Sequence, residues 1–196
     1  MAQTKSIYIY GASGHGKVIV DIALDSGYKE VIFIDDNKGL KFSESLEKFD
    51  MIIAIGDNQT RSRVQQKVES FGFNVVNLVH SSAVISKSAK LGKGVVVMPN
   101  AVINAEAKIG DGVIINSGAI VEHECRVGKF AHLSPNVSLA GNVEIGEFTH
   151  MGIGSVAIQG VKIGKNAIIG AGTVVIRDIK DDVTAVGVPA KIIKNL

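Results

Sequence analysis

The sequence predicts an α/β, Rossmann-like unit over residues 1–78, followed by a parallel β-helix over residues 79–196. Three observations carry this. From Val79 to Val175 every sixth residue is apolar, without a break of register. The pairs Leu91-Gly92, Ile109-Gly110, Val127-Gly128, Ile145-Gly146 and Ile163-Gly164 recur at every third hexad. The first eighty residues read instead as strand, glycine loop, helix and strand.

The elements follow in chain order. Lys5–Tyr10 is a short apolar strand. Gly11-Ala12-Ser13-Gly14-His15-Gly16 is a glycine loop, and Lys17–Ser26 has helical spacing at Val18, Ile22 and Ala23, ended by Gly27. Val31–Ile34 is a second strand closing on Asp35-Asp36, and Met51–Ile55 is a third. Residues 58–71 are polar and helical, and Phe73–Leu78 is a strand that leads into the repeat.

A period of six with two inward positions is too long for one strand and wrong for a helix. A triangular coil with one short strand per side fits it, so three hexads make one turn. The inward residues are the sixfold ladder itself and the small or β-branched residue four places on, such as Ala119, Cys125 or Val137. Coils stack ~4.8 Å apart, so about five to six coils give a prism roughly 25 Å tall. Glycines turn the corners where a Cβ would clash.

Composition narrows the function classes. Apolar residues make up 46% of 196, enough for a core, and aromatic residues only 5%, as small regular layers require. Net charge is +2, too balanced to make nucleic acid or an anionic membrane the main partner. One cysteine, Cys125, leaves no disulfide framework, and its inward position marks it as core packing. No uncharged apolar run approaches the length of a membrane span, and the N-terminal segment lacks a signal-peptide core. The expectation is therefore a cytoplasmic protein without membrane insertion.

A glycine loop at a helix start presents free N–H groups and a helix dipole to phosphate, which makes Ser13, Gly14 and His15 candidates for binding a nucleotide. The spacing G-x-x-G-x-G departs from the dinucleotide fingerprint, and about eighty residues hold only half a dinucleotide fold, so a mononucleotide fits better. Asp35 and Asp36 end the second strand, where an acidic group commonly meets a ribose hydroxyl, and Gly56 ends the third. A tight turn followed by a solvated acidic pair is the alternative reading of the same residues.

The chain resembles the nucleotide-sugar acetyltransferases of the UDP-N-acetylbacillosamine pathway and their sialic acid O-acetyltransferase relatives. The likeness rests on IYIYGASGHGKV at 7–18, FIDD at 33–36, AIGDN at 54–58, NAEAKIGDGVIINSGAIVEHEC at 104–125 and GVPAK at 187–191. The resemblance implies a left-handed helix and a homotrimer. It implies acetyl-CoA as co-substrate in the cleft between neighbouring β-helices, and a UDP-linked 4-amino-4,6-dideoxy sugar on the N-terminal unit.

In Val121-Glu122-His123-Glu124-Cys125 only the first and last residues point inward, so His123 stands outside between two carboxylates, suited to taking a proton near neutral pH. The resemblance makes His123 the base, with Glu124 orienting it. It places His132 beside the acetyl-CoA thioester, the Gly141 N–H at the thioester carbonyl, and Lys191 near the 3′-phosphate end of CoA. Gly152, Ile153, Ala171 and Gly172 would leave a smooth groove for the pantetheine arm; the turn requirement of the repeat also explains these glycines. Asn116 is a candidate for the sugar pocket. His150, three hexads after His132, stacks on it at an equivalent corner and reads as a solvated outer residue. Three histidines raise the metal question, but the close H-x-x-x-x-H pair of hexapeptide carbonic anhydrases is missing, so no metal is expected. The acceptor is expected to be a sugar amine. A sugar hydroxyl, as on sialic acid, a non-catalytic nucleotide-sugar sensor and a metal-dependent hydratase are the alternatives.

Overall fold

The computed structural model describes residues 5–196. It begins with a parallel four-stranded sheet, order β2-β1-β3-β4, made of β1 (Ser6–Tyr10), β2 (Glu30–Ile34), β3 (Asp50–Ile53) and β4 (Asn74–Val75). Helix α1 (Gly14–Asp25) follows β1, and α2 (Asn58–Ser70) follows β3. The α1 helix starts earlier than its spacing suggests, because Gly14 to Gly16 already have helical geometry behind the N-cap Ser13. The strand expected over Phe73–Leu78 is divided. Asn74–Val75 completes the first sheet, and β5 (Leu78–Val79) joins the β-helix by pairing with Val96–Val97.

From residue 78 the chain winds through short strands, each paired in parallel with the strand three hexads on. Three faces result. One runs from Leu78–Val79 through Val96–Val97, Ile114–Ile115, His132–Leu133 and His150–Met151 to Ile168–Ile169, and the C-terminal hairpin extends it to eight strands. The second has six, from Val84–Ile85 to Val174–Val175, and the third has five, from Lys90–Leu91 to Lys162–Ile163. The ladder residues and the small residues four places on fill the prism, Cys125 among them.

The two glycine periods have a geometric cause. Each residue after the ladder on the third face sits directly over the next coil: a Cβ on Gly110 would lie 2.7 Å from Lys129 N, and on Gly128 2.6 Å from Glu147 N. Another corner position, not visible in the apolar pattern, takes a φ near +60° once per hexad from Gly94 to Gly172. Glycine and asparagine hold most of these positions, and Glu106, Glu124, Phe130 and Phe148 hold the rest.

The outer columns differ sharply. The third face carries Lys90, Lys108, Arg126, Glu144 and Lys162. The first is covered, where Leu78, Val96, Met98 and Ile114 pack in one cluster with Ile19, Ile22 and Ala23 of α1. The second presents Val84, Val102, Ile120, Ser138, Val156 and Val174 outward, with Val84 and Ile120 exposed.

Candidate active site

His123 follows the strand Ile120–Val121 on the corner between the apolar and charged faces. Its side chain is 58% exposed. Nδ1 lies 3.1 Å from Glu124 Oε2, and its backbone N–H donates to Glu122 Oε2. With Nδ1–H given to the carboxylate, Nε2 is the basic atom left to act. Glu124 reaches back to its neighbour because its own backbone is at φ +60°, one of the left-handed corners.

The ring lies over Gly141, one coil on. A Cβ at Gly141 would fall 2.5 Å from His123 Cε1 and 2.6 Å from Nε2. Only glycine leaves room for this imidazole in its present place. The Gly141 N–H donates to no acceptor among the described residues, a property it shares with the equivalent position Lys129 on another corner. Gly141 O accepts from Gly160 N.

His132 lies on a different face, 9% exposed. Its Nε2 is 3.2 Å from Asn116 Nδ2, which ties Asn116 to His132 rather than to His123. The rings of His15 and His150 flank it, with centroids at 6.3 and 4.9 Å. Burial pushes the His132 pKa down to about 3, helped by His150 and Arg61; the Gly56 backbone beside it works weakly the other way. Burial and then Arg61 lower His15 to about 4 and pull His150 down as well. His15 and His132 are therefore neutral at pH 7.

One expectation needs correction here. His150 is not a solvated corner residue: it sits in a strand, half-buried, with Nε2 3.2 Å from Ser134 Oγ. His15, within the first turn of α1, turns toward His132, while Gly11 and Ser13 of the same loop border a pocket on the α/β unit.

That pocket is a cavity of about 290 Å³ lined by Tyr10, Ser13, Asp35, Asp36, Gly56 and Thr60, among others. A Cβ on Gly14 would stand in open space, whereas Gly16 is closed off by the Gly11 carbonyl. Ser13 caps α1 with no side-chain bond of its own to the helix. Asp35 is already engaged: Oδ2 accepts from Ala12 N, and Oδ1 from Asn37 N and Lys38 N, which hold its pKa below the usual carboxylate range. Its first task is to fix the glycine loop. Asp36 accepts from Tyr10 Oη at 2.8 Å.

Gly152, Ile153, Ala171 and Gly172 share the corner between the His132 face and the apolar face, one coil apart. Gly152 is required by the fold, since a Cβ would lie 2.6 Å from Ile169 O. Ile153 is 54% exposed. Lys191 opens the strand Lys191–Asn195, which pairs antiparallel with Val183–Val186. Together with Ile176, Arg177, Pro189 and Ile192 it borders a cavity of about 400 Å³.

Arg61 was missed from sequence. It is 1% exposed, on α2, and forms no ion pair among the described residues. Asn58, Arg61, Gln65 and Val68 are buried at helical spacing, a stripe mostly of polar residues. Among the described residues no three metal-ligating side chains gather as a group, and no helix is long and apolar enough to cross a membrane.

A glycine-loop α/β unit set against a hexapeptide β-helix that carries an exposed His-Glu pair has the build of an acyltransferase. Comparison with known proteins gives the family. Residues 6–68 match the PglD N-terminal domain and residues 88–123 the bacterial transferase hexapeptide (six repeats). PerB from Caulobacter crescentus, solved in complex with CoA and GDP-perosamine, superposes with a TM-score of 0.90 at 40% identity, covering 96% of this chain and 97% of that one. The acetyltransferase domain of PglB from Neisseria gonorrhoeae, in complex with acetyl coenzyme A, gives 0.93 at 36% identity, covering 97% and 100%. The UDP-N-acetylbacillosamine N-acetyltransferase of Bacillus subtilis is 35% identical over 111 residues, 48% of this chain and 51% of that protein. The match thus spans about half the length of that curated relative, and a fifth of an uncharacterised protein of Acanthamoeba polyphaga mimivirus that is 34% identical over 100 residues, 45% of this chain. The chain belongs to the nucleotide-sugar N-acetyltransferases, built on the left-handed β-helix of hexapeptide acetyltransferases.

Proposed function

We propose that the protein moves acetyl from acetyl-CoA to the 4-amino group of a nucleoside-diphosphate-linked 4-amino-4,6-dideoxy sugar, with His123 as general base. The observation that carries this is the His123–Glu124 pair lying over Gly141. The amine nitrogen attacks the thioester carbonyl and forms the C–N bond. It loses a proton to His123 Nε2, while Glu124 holds Nδ1–H. The Gly141 N–H, which has no acceptor within the described chain, is placed to meet the oxyanion. Collapse breaks the C–S bond, and the imidazolium returns its proton to the CoA thiolate. No metal is needed for any of these steps.

Residues 1–78 hold the nucleotide, in the cavity of Ser13, Asp35, Asp36 and Gly56, with phosphate at the α1 N-terminus beside Gly14. Residues 79–196 carry acetyl-CoA along Gly152, Ile153, Ala171 and Gly172, toward Lys191. UDP is the nucleotide that the pathway resemblance favours. GDP is the second reading, supported by the neighbour in complex with GDP-perosamine.

We infer a homotrimer from the apolar face. His123 and Gly141 occupy one edge of that face, and the glycine corner of Gly152 and Ala171 occupies the other. A neighbouring copy packed on the face would bring the His123 edge of one chain to the glycine edge of the next.

The test is CoA thiol release from acetyl-CoA, run with UDP- and GDP-linked 4-amino sugars and with sialic acid. Release dependent on an amino sugar supports the reading; release with sialic acid alone would replace it with O-acetylation.

A further inference from the structure

Arg61 is a positive charge taken out of water; among the described residues no carboxylate pairs with it directly, and Asp57 supports it only through space, so its donors must be met to offset the cost of burial. They are met by main-chain carbonyls from two parts of the molecule. Nη1 donates to Ile55 O at 2.9 Å and Gly56 O at 3.0 Å, on the loop that rims the nucleotide cavity. Nε donates to Gly112 O at 2.7 Å, and Nη2 to Phe130 O at 2.8 Å, on two successive coils of the β-helix. A longer contact reaches Ala131 O, the residue before His132. Asn58 braces the arrangement: its Oδ1 accepts from Nη2, and its Nδ2 donates to Phe148 O one coil further on.

Phe130 and Phe148 stack at 5.7 Å and both stand at φ>0, so their carbonyls belong to the corner that faces α2. His15 and His132 both feel this guanidinium, and their buried atoms His15 Nε2 and His132 Nδ1 meet no hydrogen-bond geometry among the described residues.

We propose that Arg61 is a positioning residue: its guanidinium fixes the nucleotide-pocket rim at Ile55 and Gly56 against the coil strand that carries His132, and so sets where the sugar meets the acetyl group. The inference rests on the acetyl-transfer reading above. A planar fork with five donors can span both parts; a lysine ammonium keeps the charge but has only three donors at one point. Arg61 touches no reacting atom. Its loss acts on the mutual placement of two ligands and not on the binding of either.

The experiment compares wild type with Arg61→Lys, using thiol-release kinetics with UDP- and GDP-linked 4-amino sugars. Calorimetric titration with UDP, GDP and acetyl-CoA, each alone, and a melting curve accompany it. We expect kcat at saturation to fall ~10–100-fold, the usual effect of a small misplacement. We expect the Kd of each ligand alone to stay within about twofold, because its own contacts remain. A folded Arg61→Lys with wild-type kcat, even with a lowered melting temperature, shows a structural role only and overturns the proposal. If Arg61→Lys does not fold, Asn58→Ala decides, since it removes the brace and keeps the guanidinium. A lowered kcat with unchanged Kd values supports the proposal, and wild-type kcat overturns it. Failure of the wild-type protein itself to release thiol would instead bring down the acetyl-transfer reading.

Discussion

The imidazole of His123 occupies the space that a side chain at Gly141 would fill, with Nε2 2.6 Å from the position of a Cβ there. The base and the glycine are thus one unit. Gly141→Ala should swing the exposed ring away, leave the fold intact and lower kcat by ~10–100-fold through misplacement. In a double-mutant cycle, adding Gly141→Ala to His123→Ala should cost almost nothing further, because the ring it displaces is gone. Additive losses would show that Gly141 acts independently of the histidine.

Acid should destabilise the protein through its buried histidines. Unfolded imidazoles take up protons below about pH 6.5. Folded His15 stays neutral down to about pH 4 and His132 to about pH 3. The unfolded state therefore binds more protons across that window, and stability present above pH 6.5 is lost as pH falls. Urea unfolding between pH 7 and pH 5 should show this slope. His132→Gln should reduce it by about one proton per molecule.

The glycines divide into fold and ligand classes. Gly14 has open space at its Cβ position. Gly14→Val should fold normally, lose nucleotide-sugar binding through blocked approach of phosphate, and keep acetyl-CoA binding. Gly128→Ala presses on the backbone of the next coil and should cost ~1–3 kcal/mol of stability by overpacking. Calorimetric titration of Gly14→Val checks the first; equal loss of both ligands would contradict the division between the two units.

Ile120, 36% exposed in the middle of the apolar face, has no role in the folded single chain that solvent could not fill. Ile120→Glu should leave each chain folded but give a monomer by light scattering. Its activity should fall with the oligomer, since the His123 edge then has no neighbour. A monomeric wild type would contradict the shared site.

The β-helix was legible because its inward residues repeat at an interval that no other element shares, and the ladder from Val79 to Val175 survives every coil. The His123 corner was legible for a related reason: three charged or polar residues between inward Val121 and Cys125 must stand outside. Other features depend on distance across the chain. Arg61 is polar and lies in a helix that reads as solvated, yet α2 packs its polar stripe against coil carbonyls; the spacing of Asn58, Arg61, Gln65 and Val68 was the available signal. Asp35 was legible as the end of the second strand, but its bonds to Ala12 and to its own turn depend on how the two loops meet. His150 looked solvated because α2 and Arg61 do not appear near it in sequence.

In the proposed mechanism the proton of the attacking amine goes to His123, and every other role at the site depends on that transfer. The direct measurement is kcat of His123→Ala with both acetyl-CoA and a UDP- or GDP-linked 4-amino sugar saturating. We expect a folded trimer with a rate ~10²–10⁴-fold below wild type. Wild-type turnover in His123→Ala at saturation would contradict it.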